Sequence, residues 1–341
     1  MSRAAASSTP PPIPSCAEEA AMHRRALLLG SLASPFVIGS ARAADAVKVA
    51  TFDAASTLPY FVALTRGFFA DAGIAPQGTP LATHPLIVQA LVSGDAEACT
   101  NLVTLEAANI NSRRANTVLF FSVNGQNAEH RMEQFVVKPG SSAKALADLK
   151  GARILSAPGP GNMAAARGVL SAAGLQEGRD YTLVEQPMGM HVGAMQSGQF
   201  DAAYTLEPVA TIGERAGAMQ RLEAGVIATH MLGRRDAKAF ASGAGFSGRF
   251  LESRPDVARR YAEAWGRAVQ AIRTDPTTRQ VLTSHLNTPA ELAAVMPLQA
   301  FTLVKELTAQ DRADMQRFVD LAVQQGVVRE RIEVDRFLRA L

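Results

Sequence analysis

Small polar side chains that could bind a ligand follow the apolar runs of this chain at several points. Hydroxyls stand at Ser56 and Thr57, amides at Asn101 and Asn124, and a carboxylate at Glu207. Such groups donate or accept hydrogen bonds, and in α/β proteins the loops at the carboxyl ends of strands present them to ligands. The chemistry that these residues favour is reversible binding of a small polar molecule.

Signatures of catalysis and of metal binding do not occur in the sequence. It contains no H-E-x-x-H, Cys-x-x-Cys, G-x-S-x-G or Walker motif, and its six histidines lack the spacing of metal ligands. No pair of carboxylates has a spacing that argues for acid/base chemistry. We therefore predict no catalytic residue, no metal and no other cofactor.

One glycine-rich loop has the form of a nucleotide-binding motif. Residues 157–164 read A-P-G-P-G-N-M-A and match G-x-G-x-x-A, which alone is a weak signal. Pro160 removes a backbone N–H that a pyrophosphate would need, which argues against a dinucleotide. The loop still suits a small anion or polar group, because Gly161 and Asn162 open a helix and Met163 could add an adaptable apolar contact.

Two parts of the chain resemble each other, which indicates a duplicated architecture. R-G-F-F-A-D-A-G-I at 66–74 returns as R-G-V-L-S-A-A-G-L at 167–175, and Q-A-L-V-S-G-D-A-E-A at 89–98 returns as G-A-M-Q-S-G-Q-F-D-A at 193–202. In each copy one helix pattern ends at a glycine, and a second ends at Ser-Gly before an apolar strand pattern. Two similar lobes follow, and paired lobes usually hold a ligand between them.

Within each copy the pattern alternates between strands and helices, which predicts α/β lobes with parallel sheets. In the first copy we expect strands at 47–52, 96–100 and 118–123, and the loops after such strands form the predicted site. The predicted ligand-binding residues are Ser56, Thr57, Tyr60, His84, Asn101, Thr104, Asn124, Gly161, Asn162, Met163, His191 and Glu207.

Several of these residues also have a purely structural interpretation. Ser56 and Thr57 could simply cap a helix, Tyr60 could pack in the core, and His84 could be a solvated residue at a helix start. Glu207 could be a favourable charge at a helix N-terminus. The sequence leaves both interpretations open.

The final third of the chain consists almost entirely of amphipathic helix patterns from Pro255 onward, and we expect these helices to return to the first lobe. Such an organisation needs two chain crossings, which we place at 135–140 and 239–247 as a two-strand hinge. The predicted segments are a leader at 1–43, the first part of lobe 1 at 44–136, lobe 2 at 137–240 and the return to lobe 1 at 241–341.

The start of the chain has the pattern of an export signal. Arg24 and Arg25 precede an apolar stretch at 26–39, and A-R-A at 41–43 fits a cleavage site. The adjacent arginines also permit a twin-arginine signal. Without its leader, which holds four arginines and two glutamates, the chain would be nearly neutral, and no basic block indicates nucleic-acid binding. We expect a monomer in the periplasm.

The ordered set of motifs resembles a known family. L-P-Y-F-V-A-L-T-R-G-F-F-A-D-A-G-I, V-Q-A-L-V-S-G-D-A-E-A, A-M-Q-S-G-Q-F-D-A-A-Y-T-L-E-P-V and R-P-D-V-A-R-R-Y-A-E-A-W, within 47–269, are similar to periplasmic solute-binding proteins of ABC importers. The resemblance is to the branch that binds sulfonates, taurine, nitrate and precursors of the thiamine pyrimidine. It implies a type II periplasmic-binding fold, in which two Rossmann-like lobes joined by a two-strand hinge close on a small ligand and dock on a membrane permease.

The resemblance also implies a site and an activity. Family members that synthesise the thiamine pyrimidine use a cysteine-rich motif, which this chain lacks, so a non-catalytic receptor is the favoured interpretation. The alternative is an exported enzyme that uses the same cleft for a nucleotide or a small substrate. By position, the implied ligand contacts are Ser56, Thr57, Tyr60, Asn101, Thr104, Gly161, Asn162 and Met163.

Overall fold

The computed structural model describes residues 43–341, so the predicted leader lies outside the described residues except for Ala43. Within this range the strands form two sheets, which confirms the predicted α/β class with two lobes. The strands are β1 (Asp45–Thr51), β2 (Ile74–Pro80), β3 (Ala98–Val103), β4 (Val118–Gln126), β5 (Glu133–Val137), β6 (Ala152–Ser156), β7 (Tyr181–Glu185), β8 (Ala202–Leu206), β9 (Gln220–Ala224), β10 (Ala239–Ser247) and β11 (Ala300–Leu303).

Helices separate most of these strands. None of those between residues 43 and 341 is both long and apolar enough to span a bilayer. The α-helices are α1 (Leu58–Thr65), α2 (Phe68–Asp71), α3 (His84–Ser93), α4 (Thr104–Arg113), α5 (Pro160–Ala172), α6 (His191–Gln196), α7 (Val209–Arg215), α8 (Gly248–Ser253), α9 (Pro255–Thr274), α10 (Gln280–His285), α11 (Ala290–Ala293) and α12 (Ala309–Gln324).

The two sheets repeat the same arrangement of parallel strands. The first sheet has the order β11-β4-β10-β3-β1-β2, and the second has the order β7-β6-β8-β5-β9. β1 pairs in parallel with β2 and β3, just as β6 pairs in parallel with β7 and β8. The sequence repeat therefore corresponds to two equivalent β-α-β-α-β units.

The repeated Ser-Gly pairs end equivalent helices. Gly94 ends α3 with φ +90°, and Gly198 follows α6 with φ +72°. Only glycine adopts this left-handed conformation without the steric cost of a Cβ, so it satisfies the turn that leads from each helix into the next strand.

Each sheet contains one strand that arrives from the other. β5 follows β4 along the chain but lies between β8 and β9, and β10 follows β9 but lies between β3 and β4. All pairings of β5 and β10 are antiparallel, because these two strands enter from the opposite sheet. This exchange ties the two sheets together at two places.

We define the first lobe as residues 43–126 and 239–341, and the second lobe as residues 133–224. The chain crosses between them at 127–132 and at 225–238. We expected the crossings at 135–140 and 239–247, but β5 already pairs in the second sheet before residue 135, and 239–247 is the whole of β10. Short apolar runs at hinge ends and in central strands look alike in sequence, which explains the displacement.

Before β6 the chain makes a single 3-10 turn, Leu146–Leu149, and the Asp148 carboxylate accepts the N–H groups of Lys144 and Ala145 at its start. The C-terminal third is not entirely helical, since β11 pairs with β4 at the edge of the first sheet. The pairing gives hydrogen-bond partners to backbone groups on the edge of β4, which a helix in place of β11 would leave exposed.

One hydrophobic cluster lies under the first lobe's long helix. α9 buries Tyr261 and Trp265, one turn apart, against Phe121 and Phe246 of the sheet. Burial of a phenylalanine stabilises the fold by roughly 2 kcal/mol, so these rings anchor the returning C-terminal segment. A second cluster contains residues of both sheets, among them Phe120 and Phe135.

Candidate functional site

The two lobes meet at the carboxyl ends of their parallel strands. The N–H of Gly161 donates to Glu106 Oε1 at 3.0 Å, and the N–H of Ala55 donates to the Glu207 carbonyl oxygen at 3.3 Å. A Cβ placed on Gly159 would lie 3.7 Å from Pro85 Cδ. We call these six residues, Ala55, Pro85, Glu106, Gly159, Gly161 and Glu207, the interlobe contact.

Glu106 stands at the centre of the interlobe contact. It lies in the first turn of α4, where a carboxylate is favoured by the helix dipole, and its Oε2 is buried without a hydrogen-bond partner among the described residues. Burial raises the pKa of the Glu106 carboxyl from 4.5 to about 7, although the hydrogen bond from Gly161 acts in the opposite direction. The group is therefore close to half ionised near neutral pH.

Sequence reasoning missed Glu106. The available signal was an acidic side chain in the first helical turn after an apolar strand, only two residues beyond Thr104. That signal is common in α/β proteins and mostly reflects the helix dipole. What distinguishes Glu106 is its contact with Gly161 on the other lobe, which no local pattern encodes.

Two predicted site residues adjoin the interlobe contact and keep unpartnered polar atoms. Ser56 follows Ala55 and His84 precedes Pro85, and neither Ser56 Oγ nor His84 Nδ1 has a hydrogen-bond partner within residues 43–341. The His84 ring stacks on Phe52 with centroids 4.2 Å apart, and burial lowers the pKa of its imidazole to about 3. His84 is thus a neutral ring. Buried polar groups are normally satisfied, so these atoms are suited to a bound molecule.

Four other predicted residues of the first lobe bond within that lobe. Asn124 Nδ2 donates to Asn101 Oδ1 and to Ser242 Oγ, both at 3.1 Å. Both asparagines lie inside strands, β3 and β4, and not in the loops after them as expected, because the strands run further than the apolar pattern. These bonds join β3, β10 and β4.

The two predicted threonines also have internal partners. Thr57 Oγ1 donates to the Phe52 carbonyl oxygen at 2.6 Å, and Thr104 Oγ1 donates to the Phe240 carbonyl oxygen at 2.7 Å. Neither makes the side-chain cap that was the structural alternative for Thr57. Both hold the strand-to-helix loops in place.

Tyr60 does not join the site. It is buried in the first lobe with Phe69, and a Cβ placed on Gly78 of β2 would come within 2.8 Å of the Tyr60 hydroxyl. Burial raises the pKa of this hydroxyl to about 12. The core interpretation of Tyr60 therefore fits its surroundings, and the expected ligand contact does not.

In the second lobe, the side chains of Asn162 and His191 hydrogen-bond to residues of that same lobe. Asn162 Nδ2 donates to the Pro158 carbonyl oxygen, while the two ring nitrogens of His191 contact Thr205 Oγ1 and the Gln186 carbonyl oxygen. Burial lowers the pKa of His191 to about 4, so the ring is neutral. Met163 is half-buried against the cluster that the lobes share.

Glu207 is fully buried at the end of β8. Its carboxylate accepts from Gln134 Nε2 and from the Thr211 N–H, each at 3.1 Å, and lies 3.2 Å from Arg221 Nη2. The Glu207 side chain thus bonds to residues of the second lobe, whereas the Glu207 carbonyl oxygen accepts the N–H of Ala55 in the first lobe. No group of three His, Cys, Asp or Glu residues within 43–341 is placed to hold a metal ion.

We expect the protein to lose stability through Glu106 as the pH rises. A carboxyl group whose folded-state pKa is raised stabilises the fold fully below its unfolded value of 4.5, and this contribution is lost as the pH rises through about 7. The loss amounts to about 3 kcal/mol. Urea unfolding of the wild type and of Glu106→Gln between pH 4.5 and 7.5 measures it, and a stability difference between the two that does not change with pH would contradict it.

Comparison with known proteins adds a family match. A family model described as NMT1/THI5 like matches residues 54–279, a span that begins after β1 and includes β2 to β10. It covers the whole of the interlobe contact. No curated protein sequence matches the chain.

Solved structures share the architecture at low sequence identity. The alkanesulfonate-binding protein SsuA from Xanthomonas axonopodis pv. citri, bound to MOPS, is 19% identical with a TM-score of 0.68, covering 87% of this chain and 98% of that one. The nitrate-binding protein NrtA from Synechocystis PCC 6803 is 14% identical with a TM-score of 0.69, covering 86% of each chain. The desulfurization enzyme DSZB is 15% identical with a TM-score of 0.62, covering 87% and 96%. These likenesses confirm the predicted periplasmic-binding fold.

Proposed function

Because the chain belongs to the NMT1/THI5-like family, we propose that it is an extracytoplasmic solute-binding receptor. In this proposal it captures a small organic molecule between its lobes and delivers the molecule to the permease of an ABC importer. The proposed molecule is a sulfonate, a carboxylate or a pyrimidine-like compound.

The observation that carries the proposal is the interlobe contact with its unpartnered polar atoms. Ser56 Oγ, His84 Nδ1 and Glu106 Oε2 belong to the first lobe, and all three lie at or next to residues that touch the second lobe. A ligand that bonded these atoms and also contacted the second lobe would bind the closed arrangement better than an open one. Differential affinity of this kind is what shifts a two-state equilibrium toward closure.

The connections between the lobes suit such a movement. Among residues 43–341, only the segments 127–132 and 225–238 cross between the lobes, and a hinge needs a few residues at element ends to absorb the change in backbone angles. Gly161 and Glu106 make a contact that opening about these segments would break.

The proposal also covers where the receptor acts and what it contacts. Periplasmic location, export through the predicted leader and action as a monomer all belong to the proposal. Neighbours of the same fold named for alkanesulfonate and nitrate binding support capture of a small solute, and they motivate a membrane permease as the partner.

The experiment is a ligand panel of sulfonates, carboxylates, pyrimidines and amino acids. A solute at about a hundred times its Kd stabilises the folded state by about 3 kcal/mol, so the Tm should rise by several degrees. The radius of gyration from small-angle X-ray scattering should fall with the same solute. A panel that produced neither change would contradict the receptor.

The second candidate function is an exported enzyme that uses the same cleft for a nucleotide or a small substrate. Two observations favour it: the likeness to DSZB, and a buried Glu106 carboxyl whose pKa of about 7 suits acid/base chemistry. Turnover of a bound compound that Glu106→Gln abolished, and that the exposed control Glu291→Gln left unchanged, would support the enzyme against the receptor.

A further inference from the structure

We propose that a cavity beside the two lobe crossings is a second ligand site, and that it takes a small organic anion with one carboxylate and one amide group. The cavity has a volume of about 630 Å³, which is ordinary for a small-molecule site. It shares no residue with the interlobe contact, so the inference does not rest on the proposed receptor function. Its polar lining includes Glu129 and His130 of the first crossing, Lys238 of the second, and Arg273, Arg279 and Gln299 of the first lobe.

Gln299 is the buried polar side chain of this cavity. It lies directly before β11, is 3% exposed, and neither its Oε1 nor its Nε2 has a hydrogen-bond partner among residues 43–341. Such unpaired atoms are costly in a protein interior, and a bound molecule would remove the cost. The roles of the two atoms are fixed, because Nε2 can only donate and Oε1 can only accept. A ligand that satisfies both must bring an acceptor and a donor, and an amide group brings both.

Lys238 and Arg279 make the cavity favourable for an anion. Neither has a carboxylate partner within residues 43–341. Arg279 is half-buried, and its Nη1 donates to the carbonyl oxygens of Ala293 and Met296, which fixes the guanidinium in place. Burial lowers the pKa of Arg279, because water no longer fully solvates the cation. A carboxylate would replace that solvation, since ammonium and guanidinium groups donate hydrogen bonds and accept none.

The other charged groups indicate a ligand with a single negative charge. Arg273 is already neutralised by Glu306, whose Oε2 lies 2.7 Å from Arg273 Nη2. Glu129 is exposed, has no ion pair in the described part of the chain, and opposes an anion. With His130 counted as neutral, Lys238 and Arg279 against Glu129 leave two positive charges against one negative, a net charge of +1. One carboxylate balances this charge, whereas a dianion would exceed it.

Three small molecules of nearly the same size test the inference on the purified protein by calorimetric titration. Succinamate carries a carboxylate and an amide, levulinate replaces the amide nitrogen by a methyl group, and succinamide replaces the carboxylate by a neutral amide. Succinamate should bind, and each of the other two should bind at least about tenfold more weakly. Levulinate leaves Gln299 Oε1 unpaired, and succinamide lacks the charge that Lys238 and Arg279 attract.

Two variants locate the binding. Gln299→Met keeps the approximate shape of the side chain and removes its amide, so it should bind succinamate and levulinate with affinities within about threefold of each other. Lys238→Gln should weaken succinamate binding by about tenfold. Lys144→Gln replaces an exposed lysine of the second lobe that has no ion pair among the described residues. It is the matched control and should bind as the wild type does.

Each outcome decides one part of the inference. Levulinate or succinamide that bound as tightly as succinamate would overturn the ligand class. Succinamate binding that both Gln299→Met and Lys238→Gln left unchanged would overturn the site. No binding of succinamate would overturn the inference as a whole, while the wider ligand panel decides the receptor function separately. The comparison of the three molecules on the wild type needs no variant, so a Gln299→Met protein that failed to fold would leave it intact.

Discussion

Gly161→Ala is expected to weaken ligand binding by about a hundredfold while leaving the fold intact. A Cβ at this position would lie 2.6 Å from Val103 Cγ1 and 2.9 Å from Glu106 Cδ, and both of these atoms belong to the other lobe. Overpacking of this kind costs about 1–3 kcal/mol. Because the clash exists only when the lobes meet, the cost falls on closure.

Alanine adopts the helical backbone conformation of residue 161 without strain. The melting temperature of the ligand-free protein, in which the lobes can stay apart, should therefore change little. Calorimetric titration with a ligand found in the panel, and small-angle X-ray scattering with the same ligand, measure affinity and closure separately. Gly193→Ala is the matched control, since Gly193 also lies in a helix of the second lobe and a Cβ there would meet nothing within 4 Å. Wild-type affinity and compaction in Gly161→Ala would show that the interlobe contact is unimportant for capture.

Glu207→Ala is expected to destabilise the protein by about 3–5 kcal/mol, the cost typical of breaking a buried ion pair from one side. The carboxylate is fully buried, and its removal would leave Gln134 Nε2 and the Thr211 N–H without their acceptor and deprive Arg221 of one partner. The effect is on stability and not on a ligand contact, because these bonds all lie within the second lobe.

Urea unfolding at neutral pH measures the change in the free energy of unfolding. Glu214→Ala gives the comparison: Glu214 also pairs with Arg221 but is partly exposed, so its loss should cost clearly less. A Glu207→Ala protein within about 1 kcal/mol of the wild type would mean that these hydrogen bonds contribute little.

The fold was largely predictable because its signals are local. Hydrophobic runs, the alternation of strands and helices, and the helix-ending glycines Gly94 and Gly198 each depend on neighbouring residues. The repeat then implied two equivalent lobes. The two crossings, which the structure has at 127–132 and 225–238, were predicted at the wrong positions. Their positions depend on which sheet each strand joins, and that choice is made by long-range contacts.

The site was predictable only as a set of loops. Ser56, His84 and Gly161 were predicted from strand-end positions, and the structure brings them to or beside the interlobe contact. Their roles as ligand contacts remain predictions. Asn101 and Asn124 were predicted by the same rule, yet their side chains bond mainly to each other and to Ser242, because β10 arrives between their strands.

By itself, then, the sequence determined the α/β class, the duplication and the strand-end loops from which the contact is built, since these depend on residue type and spacing along the chain. Only the tertiary structure decided which polar groups are already satisfied and which are not. Glu106 and Gly161 are 55 positions apart, and a hydrogen-bond partner at that separation is chosen by the fold. The same holds for the charge at the contact, which burial and neighbouring carboxylates set, and no local pattern records either.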